Sequence, residues 1–186
     1  LYFADKEKAI DFFGFQKEVP VILIIGGGTG SQVMNSLVLH SLDHLVKFCQ
    51  IIHSTGWGRT ETEARHSRYR RYEFIDRNTM KMAYAAADLV VSRAGMSTIT
   101  ELAYLGKAAA LIPIPRSHQE LNAYELGKYN ACEILNQNEL DPGAFAQIIE
   151  DLLRDKSLLH SLSSNIQKVM PKDATERVIK EIVEII

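Results

Sequence analysis

The chain has 186 residues, of which 46% are hydrophobic and 24% charged, and this is enough for one domain with a substantial core. Its formal net charge of −2 argues against the basic surface that nucleic-acid binding needs, so we expect no nucleic-acid partner. No apolar run approaches the ~20 residues of a membrane-spanning helix and no signal peptide is evident, so any membrane contact is expected to be peripheral.

Short apolar segments alternate with helical segments along the chain. Strands are predicted at residues 21–25, 48–53, 72–75, 89–92, 108–113 and 132–135. Helices are predicted at residues 31–46, 80–87, 97–105 and 119–128, and three more helical stretches follow, with a start signal at 141–142 and a break at Pro171. This alternation predicts an α/β fold: a Rossmann-like, doubly wound parallel sheet of about six strands with helices on both faces. We expect residues 1–186 to form a single domain, with a lead-in segment and helix at 1–18 and a C-terminal helix at 172–186.

A glycine cluster, GGGTG at residues 26–30, follows the first predicted strand. A triphosphate-binding P-loop is excluded because no lysine follows Gly30. A dinucleotide site matches weakly, since Ser31 stands at the third glycine position and no carboxylate ends the second strand. The remaining interpretation is a glycine turn whose free amides, together with the next helix N-terminus, face an anion. A tight strand–helix turn without a ligand is the alternative.

Two further segments carry polar residues to the same edge of the predicted sheet. In the first, residues 92–101, a strand ends, Gly95 turns the chain and a helix opens with Glu101 one turn in, where its carboxylate can accept ribose hydroxyls. In the second, residues 113–123, two prolines project a loop that delivers His118, Gln119 and Asn122 at a helix start, and amide side chains suit sugar hydroxyls. Helix capping alone is the alternative explanation for both segments.

Taken together, these segments resemble a known family. The motifs are GGGTGS at 26–31, HSTGWG at 53–58, FID at 74–76, ALIPIP at 110–115 with HQELNA at 118–123, and DATER at 173–177. In this order and spacing they resemble the C-terminal half of the UDP-N-acetylglucosamine–N-acetylmuramyl-(pentapeptide) pyrophosphoryl-undecaprenol N-acetylglucosamine transferases, which have the two-domain GT-B architecture and form lipid II. Two departures are the glycine at position 28, where the family commonly has serine, and a longer turn at residues 76–79.

The resemblance implies that this half binds the donor, UDP-N-acetylglucosamine. The glycine turn would face the diphosphate, Ile75 would meet the uracil edge beside Met80, and Glu101 would hold the ribose. The amides of the helix start would hold the diphosphate and sugar, and Gln119, Asn122 and His118 would surround the N-acetylglucosamine. The complete set of expected donor contacts is Gly27, Gly28, Thr29, Gly30, Ile75, Met80, Met96, Ser97, Thr98, Ile99, Thr100, Glu101, His118, Gln119 and Asn122.

The resemblance also implies an inverting hexosyl transfer to lipid I without a cofactor and without a metal ion. The acceptor site, the catalytic base and the membrane-docking surface belong to the family's N-terminal domain. Because the chain begins at Leu1 without a methionine, we expect a fragment that lacks that domain, has no catalytic residue of its own and is inactive alone. The full-length protein would act at the cytoplasmic face of the membrane. The alternatives are a stand-alone donor subunit of a two-part glycosyltransferase and a non-catalytic nucleotide-binding module.

Several other features are expected to be structural. The basic run of Arg65, His66, Arg68, Arg70 and Arg71 is interpreted as a solvated helix face. Met82 and Tyr84 are expected to pack, and Cys49 and Cys132 are expected to be buried, reduced thiols of a cytosolic protein. The amphipathic tail at 178–186 is expected at the junction with the missing domain.

Overall fold

The computed structural model describes residues 4–28, 30–58, 64–170 and 173–185. Six strands form one sheet in the order β3-β2-β1-β4-β5-β6, and every neighbouring pair is parallel. Their bounds are β1 Val21–Ile25, β2 Gln50–Ser54, β3 Tyr69–Tyr72, β4 Leu89–Ser92, β5 Ala109–Leu111 and β6 Glu133–Ile134. The strand order reverses between β1 and β4, which is the point where ligands bind in such sheets. The predicted fold class is confirmed.

Helices cover both faces of the sheet. Their bounds are α1 Lys6–Phe13, α2 Gln32–Phe48, α3 Arg77–Ala86, α4 Met96–Leu105, α5 His118–Gly127, α6 Pro142–Arg154, α7 Lys156–Val169 and α8 Ala174–Ile185. One apolar layer lies between the sheet and α1, α3, α4 and α5, and the other lies between the sheet and α2 and α6, with α7 contributing to both. Strand β1 feeds both layers: Leu23 faces the first, while Ile22 and Ile24 face the second. A strand buried on both faces explains its unbroken apolar sequence.

The third strand lies three residues before its predicted position. Arg70 and Arg71 of the basic run belong to this strand, and Arg65, His66 and Arg68 precede it, so the run does not form a helix face. Arg68 donates through Nη1 to the carbonyl of Val46 at 3.0 Å, near the end of α2. Arg70 donates through Nε to the carbonyl of Phe13 at 2.9 Å, at the end of α1. These arginines therefore satisfy carbonyls at two helix C-termini, where a positive charge is also favourable. Arg68 and Arg70 are thereby explained as structural residues.

Smaller differences concern element ends. Helix α3 begins at Arg77, three residues earlier than predicted, because the Asp76 side chain accepts hydrogen bonds from the amides of Asn78 and Thr79.

Cys49 and Cys132 are buried free thiols, as predicted. Helix α8 carries an exposed apolar stripe of Val178, Ile179, Ile182 and Val183; its expected place at a domain junction stays a prediction. Among the described residues, no helix combines the length and the apolar character that crossing a bilayer requires.

Candidate functional site

Two adjoining cavities open at the carboxyl ends of the strands, on either side of the β1–β4 switch point. The larger cavity has a volume of about 530 Å³ and is lined by Gly26, Gly27, Gly28, Gly30, Ser31, Gln32, Val33, Arg93, Gly95, Ser97, Thr98, Ile114 and Gln119. The smaller cavity has a volume of about 230 Å³ and is lined by Ile25, Gly27, Gly28, Ser54, Gly56, Glu73, Phe74, Ile75, Met80, Tyr84, Ser97, Thr98 and Glu101. Gly27, Gly28, Ser97 and Thr98 border both, so one ligand can extend across the two.

The glycine turn after β1 forms one wall of both cavities. Gly27 and Gly30 have φ angles of 85° and 73°, in the left-handed region that favours glycine. A Cβ atom on Gly30 would lie 2.1 Å from the carbonyl oxygen of Thr55, whereas one on Gly28 would meet nothing within 4 Å. The turn thus leaves open space where the ligand is expected and permits close backbone packing on its other side. The predicted contact Thr29 lies outside the described residues.

Two helix N-termini converge on the larger cavity. Helix α2 begins after Ser31, whose side chain accepts a hydrogen bond from the amide of Met34 at 3.4 Å. Helix α4 begins after Gly95, which supplies no side-chain cap, and Ser97 and Thr98 in its first turn line the cavity. The first amides of a helix have no intrahelical acceptor and carry a partial positive charge, so the cavity is suited to an anion.

A buried arginine, Arg93, also lines the larger cavity, and the sequence-based site did not include it. Its side chain donates through Nη2 to Ser31 Oγ at 2.8 Å and through Nη1 to the carbonyl of Ile112 at 2.8 Å. Burial lowers the pKa of Arg93 below its ordinary value, but an arginine remains protonated at neutral pH. The sequence signal that could have identified Arg93 is its position, since it is a charged residue directly after a buried strand. Arg93 adds a full positive charge to the two helix dipoles.

The smaller cavity brings together three of the predicted donor contacts, Ile75, Met80 and Glu101. Ile75 is buried, and the neighbouring Phe74 is exposed at the rim, where its ring stacks on Trp57 with centroids 6.5 Å apart. The Glu101 carboxylate accepts a hydrogen bond from Tyr84 at 2.8 Å between Oη and Oε2. Tyr84 was predicted as a packing residue and is buried, but its hydroxyl also reaches this site.

The residues expected to surround the N-acetylglucosamine are only partly brought to the cavities. Of Gln119, Asn122 and His118, only Gln119 borders the larger cavity, where its Oε1 accepts from the amide of Ile114 at 3.2 Å. Asn122 donates through Nδ2 to the carbonyl of Ala94 at 3.0 Å, so it braces the turn before α4. The predicted donor contacts that line neither cavity are Met96, Ile99, Thr100, His118 and Asn122. In the described ranges no group of three or more His, Cys, Asp or Glu side chains is placed to hold a metal ion; metal-free binding stays a prediction.

A buried polar network supports the glycine turn from below. His53 is 1% exposed, with Nδ1 2.9 Å from Tyr69 Oη and Nε2 3.1 Å from Asn35 Oδ1. Asn35 donates through Nδ2 to the carbonyl of Thr55 at 3.0 Å, so its Oδ1 accepts from His53. Burial lowers the pKa of His53, so the imidazole is neutral at pH 7, with its proton on Nε2 and with Nδ1 accepting from the Tyr69 hydroxyl. The network ends at the carbonyl against which Gly30 packs.

His53 should make the domain less stable in mild acid. Burial, with a smaller contribution from the positive charge of Arg71, lowers the pKa of His53 to about 3, against ~6.5 in an unfolded chain. Below pH 6.5 the unfolded state binds a proton that the native state does not accept until near pH 3, so stability is lost as the pH falls. The expected loss from His53 between pH 7 and pH 5 is ~2 kcal/mol.

Urea unfolding at pH 7 and pH 5 measures this effect, with His53→Gln as the control for all other titrating groups. The variant should have a lower free energy of unfolding at pH 7 but a smaller drop on acidification. An equal drop in both proteins would contradict the assignment.

Comparisons with known proteins identify the family of the chain. Residues 21–178 match the glycosyltransferase family 28 C-terminal domain. The UDP-N-acetylglucosamine–N-acetylmuramyl-(pentapeptide) pyrophosphoryl-undecaprenol N-acetylglucosamine transferases of Chlorobium limicola and Flavobacterium psychrophilum are 32% and 34% identical over 97% of this chain. The chain covers 51% and 50% of these proteins, so it spans about half the length of the curated relatives it matches.

Solved structures have the same fold as this chain. The crystal structure of Acinetobacter baumannii MurG superposes with a TM-score of 0.75 at 27% identity, covering 95% of this chain and 53% of that one. The UDP-GlcNAc 2-epimerase of Neisseria meningitidis, solved with UDP-GlcNAc bound, has a TM-score of 0.72 over 96% of this chain and 49% of that one, but at 10% identity it shows the fold alone. The family predicted from the motifs is confirmed: the chain belongs to the glycosyltransferase family 28 C-terminal domain family.

Proposed function

We propose that this chain is the donor-binding half of an inverting N-acetylglucosaminyltransferase that converts lipid I to lipid II in peptidoglycan synthesis. The observation that carries the proposal is the pair of joined cavities, one lined by helix N-termini and Arg93, the other by Ile75 and the carboxylate of Glu101. A nucleoside diphosphate sugar needs this combination: cationic groups for the diphosphate and an acceptor for the ribose hydroxyls. The printed names of the relatives support the donor UDP-N-acetylglucosamine.

In the proposed reaction a hydroxyl of the acceptor sugar attacks the anomeric carbon of the donor. The bond between that carbon and the diphosphate oxygen breaks with inversion, and UDP leaves. Negative charge develops on the departing diphosphate, where the amides at the starts of α2 and α4 and the guanidinium of Arg93 can stabilise it. The proton of the attacking hydroxyl passes to a base that we assign to an acceptor domain outside this chain. That domain would also bind lipid I and dock peripherally on the inner face of the membrane.

The domain is expected to bind UDP and UDP-N-acetylglucosamine but to transfer no sugar by itself. Isothermal titration calorimetry with UDP and with NAD tests the nucleotide class, because the chain lacks the carboxylate that a dinucleotide site needs at the end of its second strand. The UDP titration is repeated in EDTA and in magnesium, and the two affinities should agree. Tighter binding of NAD than of UDP would overturn the proposed function, and a tenfold loss of UDP affinity in EDTA would mean that a metal ion holds the diphosphate.

A further inference from the structure

We propose that Tyr84 is a positioning residue that holds the Glu101 carboxylate so that the site selects ribonucleotides over 2′-deoxyribonucleotides. The inference rests on the proposed function, because it assigns the smaller cavity to the uridine half of the donor. It concerns a residue of the Ala-rich helix α3 that was expected from the sequence only to pack.

The first step is the rigidity of the phenol. Tyr84 is 1% exposed and belongs to the apolar layer that also contains Ile75 and Ile99. Its ring is therefore fixed by close packing, whereas its hydroxyl reaches the wall of the smaller cavity.

The second step is the contact itself. The hydroxyl oxygen of Tyr84 lies 2.8 Å from Oε2 of Glu101, and an ionised carboxylate can only accept, so Tyr84 donates. A hydrogen bond to a charged acceptor is stronger than one between neutral groups. It also restrains a glutamate side chain that would otherwise sample several rotamers. The Glu101 side chain is therefore already ordered in the free protein, and less of its conformational entropy is lost when the ligand binds.

The third step is the acceptor capacity that remains. A carboxylate offers about four lone-pair sites, and the Tyr84 hydroxyl occupies one of them on Oε2. Oε1 and the second site of Oε2 remain for two neighbouring ribose hydroxyls. A carboxylate that is fixed in orientation meets both hydroxyls together, whereas a mobile one can satisfy either singly. Selectivity for the 2′-hydroxyl therefore depends on the phenol.

Tyr84→Phe removes the hydroxyl and keeps the ring. We expect UDP binding to weaken about three- to tenfold, and the preference for UDP over 2′-deoxy-UDP to shrink by a similar factor, because the lost restraint acts on a ribose contact. In a Glu101→Ala background the same change should leave UDP affinity unaltered, since the carboxylate that Tyr84 holds is gone. Tyr124→Phe is the matched control: it removes a phenol from an exposed position on α5 and should change nothing.

Calorimetry with UDP and 2′-deoxy-UDP on the wild type and the four variants, with melting temperatures from circular dichroism, decides the matter. The inference is supported if Tyr84→Phe lowers the preference for UDP over 2′-deoxy-UDP, and if adding Tyr84→Phe to Glu101→Ala changes that preference no further. Equal weakening of both nucleotides, or an unchanged ratio, would overturn it, because a purely structural tyrosine predicts those results. Failure of the wild-type protein to bind UDP would instead overturn the proposed function.

Discussion

Gly30→Ala is expected to destabilise the domain by about 3–5 kcal/mol and to abolish measurable UDP binding. Gly30 has a φ of 73°, which strains any residue with a Cβ atom. The added Cβ would lie 2.1 Å from the carbonyl oxygen of Thr55 and 2.7 Å from the Cα of Gly56. Both are backbone atoms, and Thr55 is held by hydrogen bonds from Asn35 and to Tyr72. The clash therefore moves the glycine turn away from the cavity that it lines.

Gly28→Ala is the matched control for stability. It lies two residues earlier in the same turn, its backbone is outside the left-handed region, and an added Cβ would meet nothing within 4 Å. Urea unfolding of both variants should show a near-normal free energy of unfolding for Gly28→Ala and a large drop for Gly30→Ala. Similar free energies of unfolding for the two variants would mean that the turn rearranges at little cost and that Gly30 is not fixed against Thr55.

The fold was predictable because its signals are local and repeated. Strands β1 and β4 occupy the predicted residues, since short apolar runs buried on both faces have few other possible structures. Strand β3 was misplaced because its sequence, YRRY, has no apolar run. Its arginines are stabilised by carbonyls at the ends of α1 and α2, contacts that span 57 and 22 positions in sequence. Periodicity carries no information about partners that far away.

The same limit applies to the site. The motifs placed Gly27, Gly28, Ser97, Thr98 and Glu101 around one cleft, because strand ends of a parallel sheet share an edge. Side-chain partners were not predictable. An asparagine amide suits a sugar hydroxyl and a backbone carbonyl equally well, and Asn122 donates to the carbonyl of Ala94. The contact of Tyr84 with Glu101 depends on how α3 and α4 pack against each other, and this cannot be predicted from the sequence of either helix alone.

Arg93→Met should lower both stability and affinity for the diphosphate. The side chain donates to Ser31 Oγ and to the carbonyls of Ile112 and Pro113, so it ties the start of α2 to the end of β5. Methionine fills similar space but takes the donor away from the buried carbonyls of Ile112 and Pro113, and we expect a loss of about 2–4 kcal/mol in the free energy of unfolding. Arg93→Lys keeps the charge but cannot bridge the acceptors in the same way, so it should recover affinity more than stability.

The affinity effect should follow the charge of the ligand. At an effective dielectric constant of ~20, two unit charges ~6–8 Å apart interact with about 2–3 kcal/mol, so UDP should bind Arg93→Met about 30- to 100-fold more weakly. Uridine carries no phosphate, and its affinity should change far less. Titrating both ligands into the wild type, Arg93→Met and Arg93→Lys at low and moderate salt separates charge from structure. If UDP and uridine lost affinity in the same proportion, Arg93 would serve only to hold Ser31 and the β5 end in place, and the diphosphate would be held by the amides of α2 and α4 alone.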